Sequence, residues 1–258
     1  MRIYTFGNNS NSVIMLFPGT CCHWKANFKA IIPLLKEYFY VACVSYDSFD
    51  ETEYSIFPDM LTETVKIEKY IQKYFSGHIL AVYGCSLGGS FVGLLMQRGN
   101  IRIDHGILGS SDLDQSGSVF AWLMASIVTS MLFGMFQKGK LSGFMQKRLD
   151  KKTAEERQYY DKMLDMFGMR STHMSFVKKQ SIFNQFYSDL TTPLRNNIAV
   201  PGTMVHCFYA TKMGEKYLKR YYQHFQNPDI RQHDMQHEEL LICYPEKWTA
   251  EVRKCCGV

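Results

Sequence analysis

Short apolar runs recur along the chain, each followed by a stretch in which apolar residues return every three or four positions. The runs are Val13 to Phe17, Tyr40 to Ser45, Ile79 to Tyr83, Ile103 to Leu108 and Met204 to Tyr209. Their near-continuous hydrophobicity and their length predict strands buried on both faces. Helical patterns occupy Trp24 to Tyr38, Asp59 to Phe75 and Leu87 to Gln97, with two more over Glu215 to Phe225 and Glu239 to Lys254. Alternation of this kind implies an α/β fold, a mostly parallel central sheet with helices on both faces. Ile3 to Phe6 adds an edge strand, joined onward through the turn-rich Gly7-Asn8-Asn9-Ser10-Asn11-Ser12, and Ile230 to Met235 closes the other edge.

Between Asp114 and Val200 the strand rhythm stops and the pattern becomes helical. Residues 1–113 and 201–258 therefore read as one core, and 114–200 as a helical lid inserted over the carboxyl ends of the strands, where open parallel sheets bind ligands. The lid is rich in methionine and phenylalanine. Met124, Met131, Met135, Phe133 and Phe136 either pack it onto the body or line an apolar pocket. Trp24, Trp122 and Met124 are the expected pocket residues.

Composition narrows this picture. With 258 residues, 46% hydrophobic and 14% aromatic, the chain can bury a sizeable core. The formal charge of +5 is modest, and its densest basic cluster, Lys147-Arg148 with Lys151-Lys152, reads as a solvated helix face, so no nucleic-acid partner is expected. The eight cysteines include two adjacent pairs, Cys21-Cys22 and Cys255-Cys256, and no C-x-x-C spacing, which favours neither disulfides nor metal. The first residues lack the apolar core of a signal peptide, so reduced thiols in a cytoplasm are expected. Ser118 to Gln137 carries no charge and is long enough to span a bilayer. A lone crossing would put the flanking strands on opposite sides, however, so the segment is expected within the folded lid, contact with a membrane surface being the lesser reading.

Gly84-Cys85-Ser86-Leu87-Gly88 changes the picture most, because a serine with glycine two residues away on each side is the pattern of a nucleophile elbow. Chance would supply about 0.1 such matches in a chain of this length. Here the match sits between a predicted strand and a predicted helix, where the chemistry requires it. Gly84 and Gly88 leave room where strand and helix pass closest.

A serine hydroxyl is a weak nucleophile at neutral pH, so Ser86 needs a base, and the base an orienting carboxylate. In elbow hydrolases the base comes last in the chain, after the final strand. His237 fits that place, while His233 falls within the strand and serves structure. The two could form a metal pair with Asp234 and Glu238, but two helical histidines around a glutamate are absent. For the acid, Glu215 follows the strand Met204 to Tyr209 by a short loop, and Asp112 ends the preceding strand; Asp189 and Asp234 are further candidates. The oxyanion calls for two backbone amides, expected from Leu87, directly after the nucleophile, and from Thr20 in Pro18-Gly19-Thr20. His23 and Trp24 then either shape the pocket mouth or cap and pack the next helix.

On these residues, from the Pro18-Gly19 turn to the His237-Glu238-Glu239 segment, the chain resembles the alpha/beta hydrolases of the lidded, cofactor-free kind. The resemblance covers nearly everything outside the lid. It implies a serine hydrolase that cleaves a small or medium apolar carboxylic ester, thioester or amide through an acyl-enzyme, without cofactor or metal. Acyl transfer, peptide cleavage and carbon–carbon bond hydrolysis use the same triad, and a non-catalytic small-molecule receptor could use the same fold. Two departures stand out: the family's common His-Gly is Pro18-Gly19 here, and Glu215 lies slightly beyond the usual acid position near Met213.

Overall fold

The computed structural model describes residues 1–139, 141, 143–168 and 174–258. In chain order it contains β1 (Arg2–Phe6), β2 (Val13–Phe17), α1 (Trp24–Phe28), α2 (Ile32–Leu35), β3 (Tyr40–Ser45), α3 (Met60–Tyr74), β4 (His78–Gly84), α4 (Leu87–Arg98) and β5 (Arg102–Leu108). Four helices follow, α5 (Ser118–Lys138), α6 (Gly143–Asp150), α7 (Ala154–Met166) and α8 (Lys179–Thr191). The chain then returns to the sheet with β6 (Met204–Ala210), α9 (Glu215–His224), β7 (Asp229–His233), α10 (Glu239–Cys243) and α11 (Pro245–Cys256).

The seven strands of the described residues form one sheet in the order β1-β3-β2-β4-β5-β6-β7, parallel except for β1, which runs antiparallel to β3. Successive strand residues face opposite layers, as a pleat dictates. Met15 and Phe17 of β2 join a core with α3, α4 and α9, whereas Ile14 and Leu16 join one with α1, α2, α10 and α11. The order reverses at β2, which pairs with β3 on one side and β4 on the other. The crevice between the carboxyl ends of β2 and β4 is thus the switch point at which sheets of this type bind ligands.

Three predicted elements differ in extent. The single helix expected over 24–38 is two short ones, because Pro33 in the first turn of α2 has no N–H to continue a ladder from α1. The last helix is broken in the same way before Pro245. The edge strand ends at His233 rather than Met235, where the Met235 N–H turns back onto the His233 carbonyl at 2.8 Å.

Candidate active site

Ser86 lies between β4 and α4 with φ 50° and ψ −114°, a backbone conformation that non-glycine residues rarely adopt. Its surroundings hold it there. The Cys85 N–H donates to the Phe17 carbonyl (3.0 Å), the Gly89 N–H to the Ser86 carbonyl (2.8 Å), and the Ser111 hydroxyl to that same carbonyl (2.7 Å). A Cβ on Gly84 would lie 2.1 Å from the Gly88 carbonyl carbon, and one on Gly88 2.4 Å from the Phe17 oxygen. Both glycines are required by close backbone approach, so the strain at Ser86 is enforced by packing.

The register pairs Phe17 with Gly84, so the loops after β2 and β4 leave the sheet side by side. Thr20 and Leu87 each stand three residues beyond that pair. In the β2 loop, the Gly19 N–H donates to Asn27 Oδ1 (2.8 Å), the Cys21 N–H to Gln185 Oε1 (2.6 Å) and the Cys22 N–H to the Gly19 carbonyl (3.1 Å). Among the described residues no acceptor takes the N–H of Thr20 or of Leu87. Two amides on adjoining loops are thus left free beside Ser86, while their neighbours are tied down.

His237 follows β7 on the loop before α10 and is half-buried; its carbonyl accepts the Tyr159 hydroxyl at 2.9 Å. The next residue, Glu238, is 2% exposed and has φ 55°. Its Oε1 accepts the N–H of Ser86 and the N–H of Ser110, both at 2.8 Å, and its Oε2 accepts the Tyr83 hydroxyl at 3.0 Å. The loop that carries His237 is therefore bonded to the backbone of Ser86 itself.

The candidate acids separate clearly. Glu215 is exposed at the start of α9, and among the described residues no hydrogen bond or ion pair joins it to His237. Asp112 lies on the loop after β5, within electrostatic reach of His237; burial and the charge of Asp114 push its carboxyl above the usual range, and His237 and Arg220 pull it back. Arg220 anchors this loop, donating to the Asp112 carbonyl at 2.7 Å and pairing with the Asp114 carboxylate. Asp189 of α8 faces the same region: burial and the nearby Asp112 raise its carboxyl well above the ordinary range. Asp234 is exposed and accepts the Thr211 hydroxyl at 3.3 Å.

The expected pocket residues lie elsewhere. Trp122 and Met124 are 58% and 36% exposed on the outer side of α5, since the inner side is taken by Ala121, Ala125 and Thr129. Trp24 is buried against β1, its ring stacked on Tyr4 at 4.5 Å between centroids. His23 caps α1, its Nδ1 accepting the Lys25 N–H (3.1 Å) while Nε2 meets Glu51 (2.6 Å). Cys85 is fully buried, and burial pushes its thiol well up, so it packs rather than reacts. Among the described residues, no three histidine, cysteine or carboxylate side chains are grouped to hold a metal ion.

Sequence reasoning gave no structural role to two residues at this site. A glutamate opening a helix ordinarily faces water, so nothing local marks Glu238 as the buried acceptor behind the elbow. Gln185 belongs to a stripe, Ser181, Gln185 and Ser188, spaced for one helix face and fully or nearly buried; polar residues at core spacing were the available signal.

No protein-family model matches the sequence, and no curated protein matches it. Solved structures do match in shape. A protein from Desulfitobacterium hafniense described as of the alpha/beta hydrolase family superposes with a TM-score of 0.75 at 16% identity, covering 98% of this chain and 99% of its own. A marine microorganism esterase gives 0.71 at 11%, covering 98% of each chain, and an enol-lactonase from Burkholderia xenovorans 0.68 at 14%, covering 100% and 96%. The chain has the alpha/beta hydrolase fold.

Proposed function

We propose that this protein is a serine hydrolase that cleaves a small or medium apolar carboxylic ester, thioester or amide. The observation that carries the reading is the pair of free amides, Thr20 and Leu87, on loops that adjoin a strained Ser86. Preorganised donors of this kind stabilise the charge that develops on a carbonyl oxygen during acyl transfer.

In this reading His237 takes the hydroxyl proton as Ser86 Oγ attacks the acyl carbon, and the oxyanion forms against the two amides. Collapse of the tetrahedral intermediate breaks the bond to the leaving group, which receives the proton from His237. Water, deprotonated by His237, then releases the acid from Ser86. Asp112 is the orienting carboxylate, favoured over Glu215 by its position after β5 and its electrostatic reach to His237. The helices between β5 and β6 act as the lid, with α8 bringing Gln185 against the oxyanion loop. Neighbours in shape that are an esterase and an enol-lactonase support an acyl substrate.

Labelling by a fluorophosphonate probe tests this. Wild type is expected to label and to hydrolyse a short p-nitrophenyl ester. Ser86→Ala is expected to lose labelling and at least about 10⁴-fold of the turnover. Equal labelling of the two proteins would mean that the nucleophile is misassigned.

A further inference from the structure

The helix α5 is 21 residues long, and only its last residue, Lys138, is charged. One side, including Ala121, Ala125, Leu132 and Phe136, is buried in the fold, where α5 packs along α8. The other side is apolar and open to solvent: Val119 is 82% exposed, Phe120 and Trp122 58% each, Ile127 56%, Leu123 50% and Met131 47%. Phe120, Leu123, Ile127 and Met131 are spaced at three and four residues, so they form one continuous stripe. Monomeric soluble proteins rarely leave so large an apolar patch uncovered.

The two hydroxyls near the stripe do not interrupt it. Ser126 donates to the Trp122 carbonyl at 2.8 Å and Ser130 to the Ser126 carbonyl at 2.9 Å, so both are satisfied within the helix, as a hydroxyl near hydrocarbon must be. A bilayer crossing is excluded by the opposite face, which is spent on α8 and on the core shared with β5 and β6.

The charge distribution selects the occupant. By sequence, residues 118–152 include six basic residues (Lys138, Lys140, Lys147, Arg148, Lys151, Lys152) and one acidic, Asp150, with Lys152 paired to Glu156 beyond them at 2.9 Å. That surplus of five equals the net charge of the whole chain, so the remaining residues balance. The positive charge of the protein therefore lies next in sequence to its apolar helix face. Exposed hydrophobic side chains followed in sequence by basic ones complement a lipid surface with anionic headgroups.

We infer that the outward face of α5 docks in the plane of an anionic bilayer surface, Trp122 entering the headgroup layer. The proposal does not depend on the hydrolase reading, and its test uses no turnover.

Trp24 and Trp248 are 5% and 0% exposed, so a change in tryptophan emission on adding vesicles reports Trp122. The intact protein is mixed with vesicles of phosphatidylcholine alone or with about 30% phosphatidylglycerol, then sedimented. Wild type is expected to co-sediment with the anionic vesicles, to shift its emission to the blue, and to be released at about 0.5 M salt. The double variant Phe120→Glu with Ile127→Glu should lose both signals while keeping the circular dichroism and melting temperature of wild type. Lys147→Gln with Lys151→Gln should weaken binding to anionic vesicles by roughly tenfold or more, with little effect on phosphatidylcholine. Wild type remaining in the supernatant overturns the proposal, as does undiminished binding by the glutamate variant. A concentration-dependent blue shift with dimer formation in the absence of lipid would assign the face to a second copy instead.

Discussion

Glu238 shows how much one buried acceptor can organise. Its Oε1 serves two backbone donors, the half-buried Ser86 and the buried Ser110. Glu238→Ala would strand both, at about 1–3 kcal/mol for each. The expected outcome is a fall in the urea midpoint and in turnover of a p-nitrophenyl ester. Glu238→Gln should keep most of both, because an amide oxygen can accept the same two N–H groups while its nitrogen donates to Tyr83 Oη. The two acids give an equally direct comparison. With Asp112 orienting the base, Asp112→Asn should lower kcat by about 10⁴-fold, and Glu215→Gln by less than about twofold. The pH profile offers a further check at Asp114, whose charge raises the Asp112 carboxyl. Asp114→Asn removes that influence, so Asp112 then ionises at lower pH, and an acid limb set by Asp112 should move to lower pH. A limb that stays in place would separate Asp112 from the rate.

At the level of elements, the sheet was legible because strands buried on both faces are written as nearly pure apolar runs, Val13 to Phe17 and Ile79 to Tyr83 among them. The elbow was legible because its glycines answer to a steric demand that no other residue meets. Most of what escapes the sequence depends on contacts between distant segments. Pro33 and Pro245 are local exceptions, where an amphipathic pattern runs on through a residue that lacks the N–H a continuous helix needs. The exposed side of α5 could not be told from a pocket lining, since both are apolar; only the packing of Ala121 and Ala125 on α8 decides which way Trp122 points. Gln185 is the corresponding case on α8. It holds the Cys21 N–H, and Cys21 itself has φ 54°. Gln185→Leu should leave that buried amide unpaired and loosen the loop between β2 and α1 that carries Thr20. The expected result is a lower kcat with KM little changed, read by steady-state kinetics on the same ester.

Across the whole molecule, pH acts on stability through Glu63 of α3. Burial pushes its carboxyl from the usual 4.5 up to about 7, against the pull of Lys66, whose ammonium lies 2.6 Å away. A raised value in the folded state means that the folded chain holds this proton more tightly than the unfolded one. The associated stability is complete below about 4.5 and is lost as pH rises through about 7. Glu63→Gln, which cannot ionise, escapes that loss. The variant should therefore compare more favourably with wild type at pH 8 than at pH 5.5 in urea unfolding, and an unchanged difference would remove Glu63 from the pH response.

The bond between Gln185 and Cys21 also bears on how this molecule could change over evolutionary time. The helices between β5 and β6 look like an exchangeable module, a piece that could be replaced to acquire a new preference while the sheet and its elbow stay as they are. Yet this module contributes an amide oxygen to the loop that carries Thr20. A replacement without an acceptor at that point would leave a buried amide stranded beside the elbow. These helices and the sheet are therefore expected to drift together, with new specificities arising through substitutions that spare Gln185 rather than through wholesale exchange.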